Sequence, residues 1–365
     1  MNQYDFSSYQ PFKNLKKRAH ILVGFSGGID SSVTALLALQ AGYKVTGIHM
    51  SVLEEQDEIN IDNANTIASQ IGIPLYHIDL RKDFENDVLK YSREQFKHGL
   101  TPNPCIICNS KIKFGKLLPY LEQFNGDAFA TGHYARIMVE NGKSILFRGS
   151  FLPKDQSYFL FALTQEQLSK IIFPLGNMSK EEVRIIARKH GLGNSEKKES
   201  QDACFVPPGY TASSFLREYF KEKESCGMFR STDTNQLLGK HKGIDQYTIG
   251  QRKGTGIALG VPAWINKIDS VSNTVWMTTD EKKLMSSGLK TSAMIWQDPP
   301  KDNIFNAEVQ IRYRSRPENA IIQINNDETV EIHFEKKVRA ITPGQAAVVY
   351  QGNKLLGGGW ILSSF

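Results

Sequence analysis

The stretch VGFSGGIDSS, Val23 to Ser32, sets glycines among hydroxyl side chains and one carboxylate. Gly27 and Gly28 let the backbone come close to a phosphate, while Ser26, Ser31 and Ser32 offer hydroxyls. A helix starting just behind them would turn its positive end toward an anion. The expected cradle spans Gly24, Phe25, Ser26, Gly27, Gly28, Ile29, Asp30 and Ser31. The Walker pattern G-x-x-x-x-G-K-[ST] is absent, and with it the lysine that draws charge toward the β/γ bond. That favours attack at the α-phosphate of ATP, with pyrophosphate leaving and an adenylated substrate forming. Asp30 is the carboxylate expected to hold the Mg2+ that neutralises the pyrophosphate. The plain alternative is a turn of small residues at a strand-to-helix junction. Met50 and Gly132, the latter in TGHYA, are the expected walls of the nucleotide site.

The second chemical feature is TPNPCIICN, Thr101 to Asn109. Four cysteines (Cys105, Cys108, Cys204, Cys226) in 365 residues cannot be a disulfide framework. Asn103 suits an N-cap and Pro104 a first helical position, which puts Cys105 and Cys108 on one face of the first turn. The helix start and nearby Lys111 and Lys113 would favour a thiolate. Zinc needs two further ligands, and neither Cys204 nor Cys226 belongs to a second C-x-x-C. On these residues alone the pair stays open between a working thiol, two buried cysteines and a metal clip. Cys204 follows a charged and polar run, KKESQDA, a poor setting for burial, whereas Cys226 carries no signal beyond a structural one.

These residues need elements to hold them. HILVGF, KVTGIHM, PLYHIDL and DAFATGHYA read as strands alternating with helices, which implies a parallel sheet with ligand at the carboxyl ends of its strands. LTQEQLSKIIF and SKEEVRIIARKHGLG read as capped helices. After Lys221 short β-like runs separated by Gly, Asn and Asp suggest a small barrel. The expected organisation is an α/β nucleotide-binding domain over 1–155, a small helical domain over 156–220 and a C-terminal β-barrel over 221–365. Arg312, Arg314 and Arg316 alternate along an expected strand, either a basic ladder for phosphates or charge protecting a sheet edge. A net charge of +6 suits a polyanionic partner without demanding one. The first twenty residues lack the apolar core of a signal peptide and no later run is long enough to span a bilayer, so a cytoplasmic protein without a membrane partner is expected.

Taken together, the phosphate loop, TPNP-x-x-x-CN, ATGHYAR, KDQSYFL and ESQDACFVP, in this order, resemble the tRNA-specific 2-thiouridylases of the MnmA family over nearly the whole chain. The resemblance implies a PP-loop ATP-pyrophosphatase domain, a helical central domain and a β-barrel. It implies ATP-dependent adenylation of the C2 carbonyl of wobble uridine 34 in tRNAs for Lys, Glu and Gln. Sulfur would then arrive from a persulfide supplied by a cysteine desulfurase or a relay protein. Cys204 would carry the persulfide, and Cys108 would be the nucleophile that releases its sulfur by forming a disulfide with it. Asn103, Pro104 and Cys105 would face the target base, and His133, Lys154, Asp155, Gln156, Arg312, Tyr313 and Gln345 would touch tRNA.

The resemblance breaks at Cys105, where many family members have aspartate. Cys105, Cys108 and Cys204 could instead hold a [4Fe-4S] cluster through three thiolates. Rival readings are another adenylating ligase on the same fold, which needs no cysteines, and a non-catalytic RNA-binding protein.

Overall fold

The computed structural model describes residues 10–193 and 203–365, the side chains of 55–58 excepted. Of the ESQDACFVP segment, residues 199–202 lie outside the described part. The described residues form two compact units interleaved along the chain: 10–88, 105–193 and 351–356 in the first, 89–104, 203–350 and 357–365 in the second.

In the first unit the chain alternates β1 (His20–Gly24), α1 (Ile29–Gln40), β2 (Lys44–Ser51), α2 (Glu54–Ile71), β3 (Leu75–Asp79) and β4 (Ala128–Ala130). A hairpin of β5 (Ala135–Glu140) and β6 (Lys143–Arg148), a short strand β7 (Ile171–Ile172) and α3 (Lys180–Lys189) complete it. The main sheet is parallel in the order β3-β2-β1-β4-β7. Its central strand HILVG is an unbroken apolar run after His20, buried on both faces as parallel strands require. Ile21 and Val23 of β1, Val33 of α1 and Val183 and Ala187 of α3 belong to one buried cluster. Each buried aliphatic side chain there contributes about 1.5–3 kcal/mol. α2 ends at Gly72 in the left-handed region (φ 81°), the usual glycine stop. α3 opens on a capping box between Ser179 and Glu182.

LTQEQLSKIIF is not one helix: the helix covers Gln165–Ser169, and Ile171–Ile172 pair with Phe129 and Ala130 instead. Two β-branched side chains fit an edge of the sheet better than another helical turn, and the sheet offers that edge only in three dimensions.

In the second unit the strand runs divide between two sheets. β8 (Gly227–Ser231), β9 (Leu237–His241), β10 (Trp264–Asp269) and β11 (Thr274–Thr278) lie in the order β10-β11-β8-β9 around Phe229, Tyr247, Ile265 and Val275. β12 (Met285–Thr291), β13 (Ile295–Trp296), β14 (Ile304–Gln310), β15 (Glu318–Ile324), β16 (Val330–Arg339), β17 (Ala346–Gln351) and β18 (Lys354–Ser364) follow. Of these, β12-β16-β15-β14-β17-β18 form a six-stranded barrel closed by pairing β12 with β18. The architecture is thus a parallel-sheet α/β domain, a middle domain and a C-terminal antiparallel barrel. The helix Lys90–Lys97 is pinned within this unit by Arg93, which meets Asp245 at 2.6 Å and Glu222 at 2.7 Å, while Arg217 also binds Asp245. Burial pushes the Asp245 carboxyl up, but hydrogen bonds from Arg93 and Arg217 outweigh it and hold the group below its ordinary value.

The arginine ladder does not form. β14 stops at Gln310, and Arg312 to Arg316 make a turn. Gln310 Nε2 donates to the carbonyls of Arg312 and Tyr313, Ser315 Oγ donates to the Arg312 carbonyl, and Pro317 follows. The side chains therefore lose the period-two arrangement that a strand would give them.

Candidate active site

The phosphate loop leaves β1 at Gly24 and enters α1 at Ile29, with Gly28 as the N-cap residue in extended conformation. Gly27 sits at φ 70°, and a Cβ there would lie 2.7 Å from Asn63 Nδ2 and 2.9 Å from Ala64 Cα, so no other residue fits. Asn63 Nδ2 donates to the Gly27 carbonyl at 3.1 Å and holds the turn from α2. Ser31 Oγ and Ser32 Oγ both donate to the Gly28 carbonyl, at 2.9 and 2.8 Å. Ser26 is exposed at the lip. Since β1 lies between β2 and β4, the loop stands where the chain's connections diverge to either side, the crevice where open parallel sheets take ligands. Met50, half-buried near the end of β2, and Gly132, just past β4, come to the same carboxyl ends. A Cβ on Gly132 would lie 2.7 Å from Asp30 Cβ, which fixes how closely that strand end approaches the loop.

Asp30 is not a bare carboxylate. Lys180 Nζ donates to both of its oxygens at 2.9 Å, and Tyr134 Oη donates to Oδ1 at 2.7 Å. The Lys180 side chain is 9% exposed and Asp30 32%. Sequence reasoning missed this lysine, yet a signal was present. Lys180 is the first residue of α3, at the positive end where a cation is disfavoured, so it needs a compensating anion.

The helix carrying the cysteines begins at Pro104, as its sequence implies, but covers only Pro104–Ile107 before a π-helical segment, Cys108–Lys113, takes over. Cys108 is buried, Cys105 half-buried and Cys204 exposed. Asn109, also buried, donates through Nδ2 to the Phe159 carbonyl at 3.1 Å and ties this segment to KDQSYFL. Lys111 leans toward Asp87 at 3.6 Å. Among the described residues no three His, Cys, Asp or Glu side chains group closely enough to hold a metal ion. The expected [4Fe-4S] ligand set of Cys105, Cys108 and Cys204 therefore finds no support.

Several residues expected at tRNA have partners inside their own unit. His133 is buried between the rings of Phe114 and Phe173 and shares a 2.7 Å hydrogen bond with Thr131 Oγ1. Burial, helped by Lys113, holds its pKa well below the ordinary histidine value, so it is neutral near pH 7. Asp155 is buried too, accepting from the backbone N–H groups of Gly149 and Ser157, from Ser157 Oγ and from Arg148. Gln156 Oε1 accepts from the Tyr134 N–H at 3.0 Å. Lys154 is half-buried in the turn that follows exposed Phe151 and Leu152. In the second unit Arg312 donates to the carbonyls of Ile249 and Ala340 and to Thr342 Oγ1, and Gln345 donates to the carbonyls of Thr101 and Pro102. Tyr313 is half-buried in the turn beside Arg312.

Comparison with known proteins fits this layout. Family models match at residues 19–208 (tRNA methyl transferase HUP domain), 213–279 (tRNA methyl transferase PRC-barrel domain) and 286–361 (aminomethyltransferase beta-barrel domain). A tRNA-specific 2-thiouridylase MnmA of Carboxydothermus hydrogenoformans is 41% identical over 361 residues, 94% of this chain and 98% of the relative. The chain belongs to the MnmA family. The MnmA proteins of Syntrophotalea carbinolica (39% identical; 95% of this chain, 99% of the relative) and Treponema denticola (41%; 94% and 98%) match at similar length. The match runs through the phosphate loop, both cysteine segments and the barrel rather than through one domain alone. Among the described residues no helix is long and apolar enough to cross a membrane.

Proposed function

We propose that this chain is a tRNA 2-thiouridylase, using ATP to adenylate the C2 carbonyl oxygen of wobble uridine 34 and replacing that oxygen with sulfur. The observation that carries the reading is the near-full-length match to relatives named for this activity. We assign nucleotide activation to 1–155, the persulfide segment to 156–220 and tRNA docking to 221–365. ATP lies along Gly24–Ser31, with Met50 and Gly132 as walls. The uridine oxygen attacks the α-phosphorus and pyrophosphate leaves. Mg2+, which typically binds through one or two carboxylates together with substrate phosphates, would supply charge neutralisation on those phosphates, and Asp30 would hold it through an oxygen that Lys180 Nζ gives up. Lys180, carried beside Asp30, provides the cation that the loop itself lacks.

In the second half-reaction Cys204 bears the persulfide. The Cys108 thiolate attacks Sγ of Cys204, the terminal sulfur leaves with the electron pair and adds to C2, and AMP departs with the original oxygen. A Cys108–Cys204 disulfide results, which an external thiol must reduce before the next turnover. Asn103, Pro104 and Cys105 face the base. Lys154 in the first unit, and Tyr313 with exposed Arg314 and Arg316 in the second, each contribute contacts to tRNA. Electrostatic contact of this kind makes binding salt-dependent. The test is mass analysis of tRNA nucleosides after incubation with ATP, a persulfide source and the full-length protein. 2-Thiouridine with stoichiometric AMP and pyrophosphate is expected. Pyrophosphate release by the wild-type protein that leaves the tRNA unthiolated would point to an adenylating ligase instead.

A further inference from the structure

We infer that Asn109 and Gln167 are positioning residues for the Cys108 thiol, two amide donors that hold the widened helical turn on which it stands. The inference rests on the reading that Cys108 is the nucleophile of the sulfur-transfer step. Every contact involved lies within residues 105–193 of the first unit. A regular α-helix through this segment would send the Phe114 N–H to the Ser110 carbonyl, four residues back. It goes instead to the Asn109 carbonyl, five back, at 2.9 Å. The Ser110 carbonyl is met from outside the segment, by Gln167 Nε2 at 2.9 Å. Ser110 Oγ donates back to the Ile106 carbonyl at 3.0 Å, a bond that tends to bend a helix. Gly115 lets the chain pass, since a Cβ there would collide with the Lys111 carbonyl.

Single π-turns inside a helix are rare and fall frequently at functional sites. Ile106, Ile107, Cys108 and Asn109 are all buried, so the segment is enclosed all round and a polar side chain there needs a partner. Asn109, 2% exposed, finds it by donating through Nδ2 to the Phe159 carbonyl at 3.1 Å, in the 3₁₀ turn Ser157–Leu160. Gln167 is itself fixed, because its Oε1 accepts from the Thr164 N–H at 2.9 Å in the capping box of the helix Gln165–Ser169. Gln165 docks that helix on β6, its side chain exchanging hydrogen bonds with the Ser144 N–H at 3.1 Å and the Ser144 carbonyl at 2.9 Å. A line of contacts therefore runs from the hairpin to the two residues that follow Cys108. Without these donors the turn would relax toward α-helical register, and one side of it would rotate by about 100° relative to the other. The Cys108 Cα–Cβ bond, which sets the line of attack on Cys204 Sγ, would lose its fixed direction.

The test uses the full-length protein with Asn109→Asp and Gln167→Glu. Each keeps the size of the side chain and removes only the donor, and Gln167→Glu retains the oxygen that caps its helix. tRNA-dependent pyrophosphate release and steady-state thiolation are measured, with Cys108–Cys204 disulfide formation followed by mass spectrometry in persulfide-loaded protein given ATP and tRNA. Pyrophosphate release and the KM for tRNA should stay as in the wild type. The kcat for 2-thiouridine and the rate of disulfide formation should each fall by about 100-fold, the scale of a misplaced reacting group. Donor variants that thiolate at the wild-type rate, when Cys108→Ser does not, would overturn the positioning role and leave the two-cysteine reading standing. If Cys108→Ser itself thiolates normally, that reading falls and takes the inference with it. Equal loss of pyrophosphate release and thiolation would make the two amides general supports of the first unit and likewise overturn the inference. Should Asn109→Asp fail to fold, Gln167→Glu, with its cap intact, must give the same split alone.

Discussion

The phosphate loop and the 310–345 face of the barrel both carry side chains suited to an anion, yet they use them in opposite ways. At the loop, the glycines and hydroxyls act where they stand in sequence, at the junction of one strand and one helix. On the barrel, Arg312 and Gln345 turn inward to main-chain carbonyls brought from about 30 to more than 200 positions away. The difference teaches that a local motif can be read for what it binds. An isolated polar residue on a loop must first be asked what backbone it holds.

Substitutions at five positions sharpen or break this contrast. The largest effect is expected from Cys108→Ser and Cys204→Ser, each lowering 2-thiouridine formation by at least about a thousandfold while tRNA-dependent pyrophosphate release persists. If either variant keeps thiolating, the two-cysteine transfer is wrong. Arg93→Ala comes next. Asp245, 7% exposed, would lose a partner that is itself 7% exposed, so chemical denaturation should show a loss of about 3 kcal/mol. A loss below a few tenths would mean that the second unit does not depend on this network. Lys180→Ala should slow pyrophosphate release by about 100-fold, as removal of a preorganised charge does, with Lys180→Arg partly restoring it. Equal rates in all three proteins would return the lysine to a merely structural role beside Asp30.

The smallest effect belongs to His133. Its folded pKa lies below the ordinary 6.5, so the unfolded chain takes up the proton first as pH falls. Stability is therefore full above that value and declines below it, by at most about 1.4 kcal/mol per pH unit from this group. His133→Asn should flatten that decline in melting curves between neutral and mildly acidic pH, and an unchanged slope would refute it.

What was legible in the sequence follows the same division. The order of strands and helices around the loop, the glycine stop of α2 and the capping box of α3 are short-range patterns, and the chain follows them. Gly24, Met50 and Gly132, the positions expected at the ATP site, lie far apart in sequence but stand at or near the carboxyl ends of neighbouring parallel strands. The strand fate of Ile171–Ile172, the turn at Arg312 and the inward course of Gln345 depended on partners that no local window contains. Lys180 lies between these cases, since its place at the wrong end of a helix dipole marked it as needing an anion without naming Asp30.

The interleaving of the two units has a consequence for synthesis. Residues 351–356 follow most of the second unit in sequence yet belong to the first unit, where Lys354 lies opposite Phe147 and pairs with Glu140 at 2.8 Å. A nascent chain made only through residue 350 therefore has every phosphate-loop residue in hand but an unfinished α/β unit. Domains usually mature from the N-terminus as they emerge, whereas here completion of the first unit waits for the ribosome to pass residue 356. Truncation at residue 350 should accordingly damage both halves, and separate expression of the ATP-binding portion should require that late hexapeptide to be supplied.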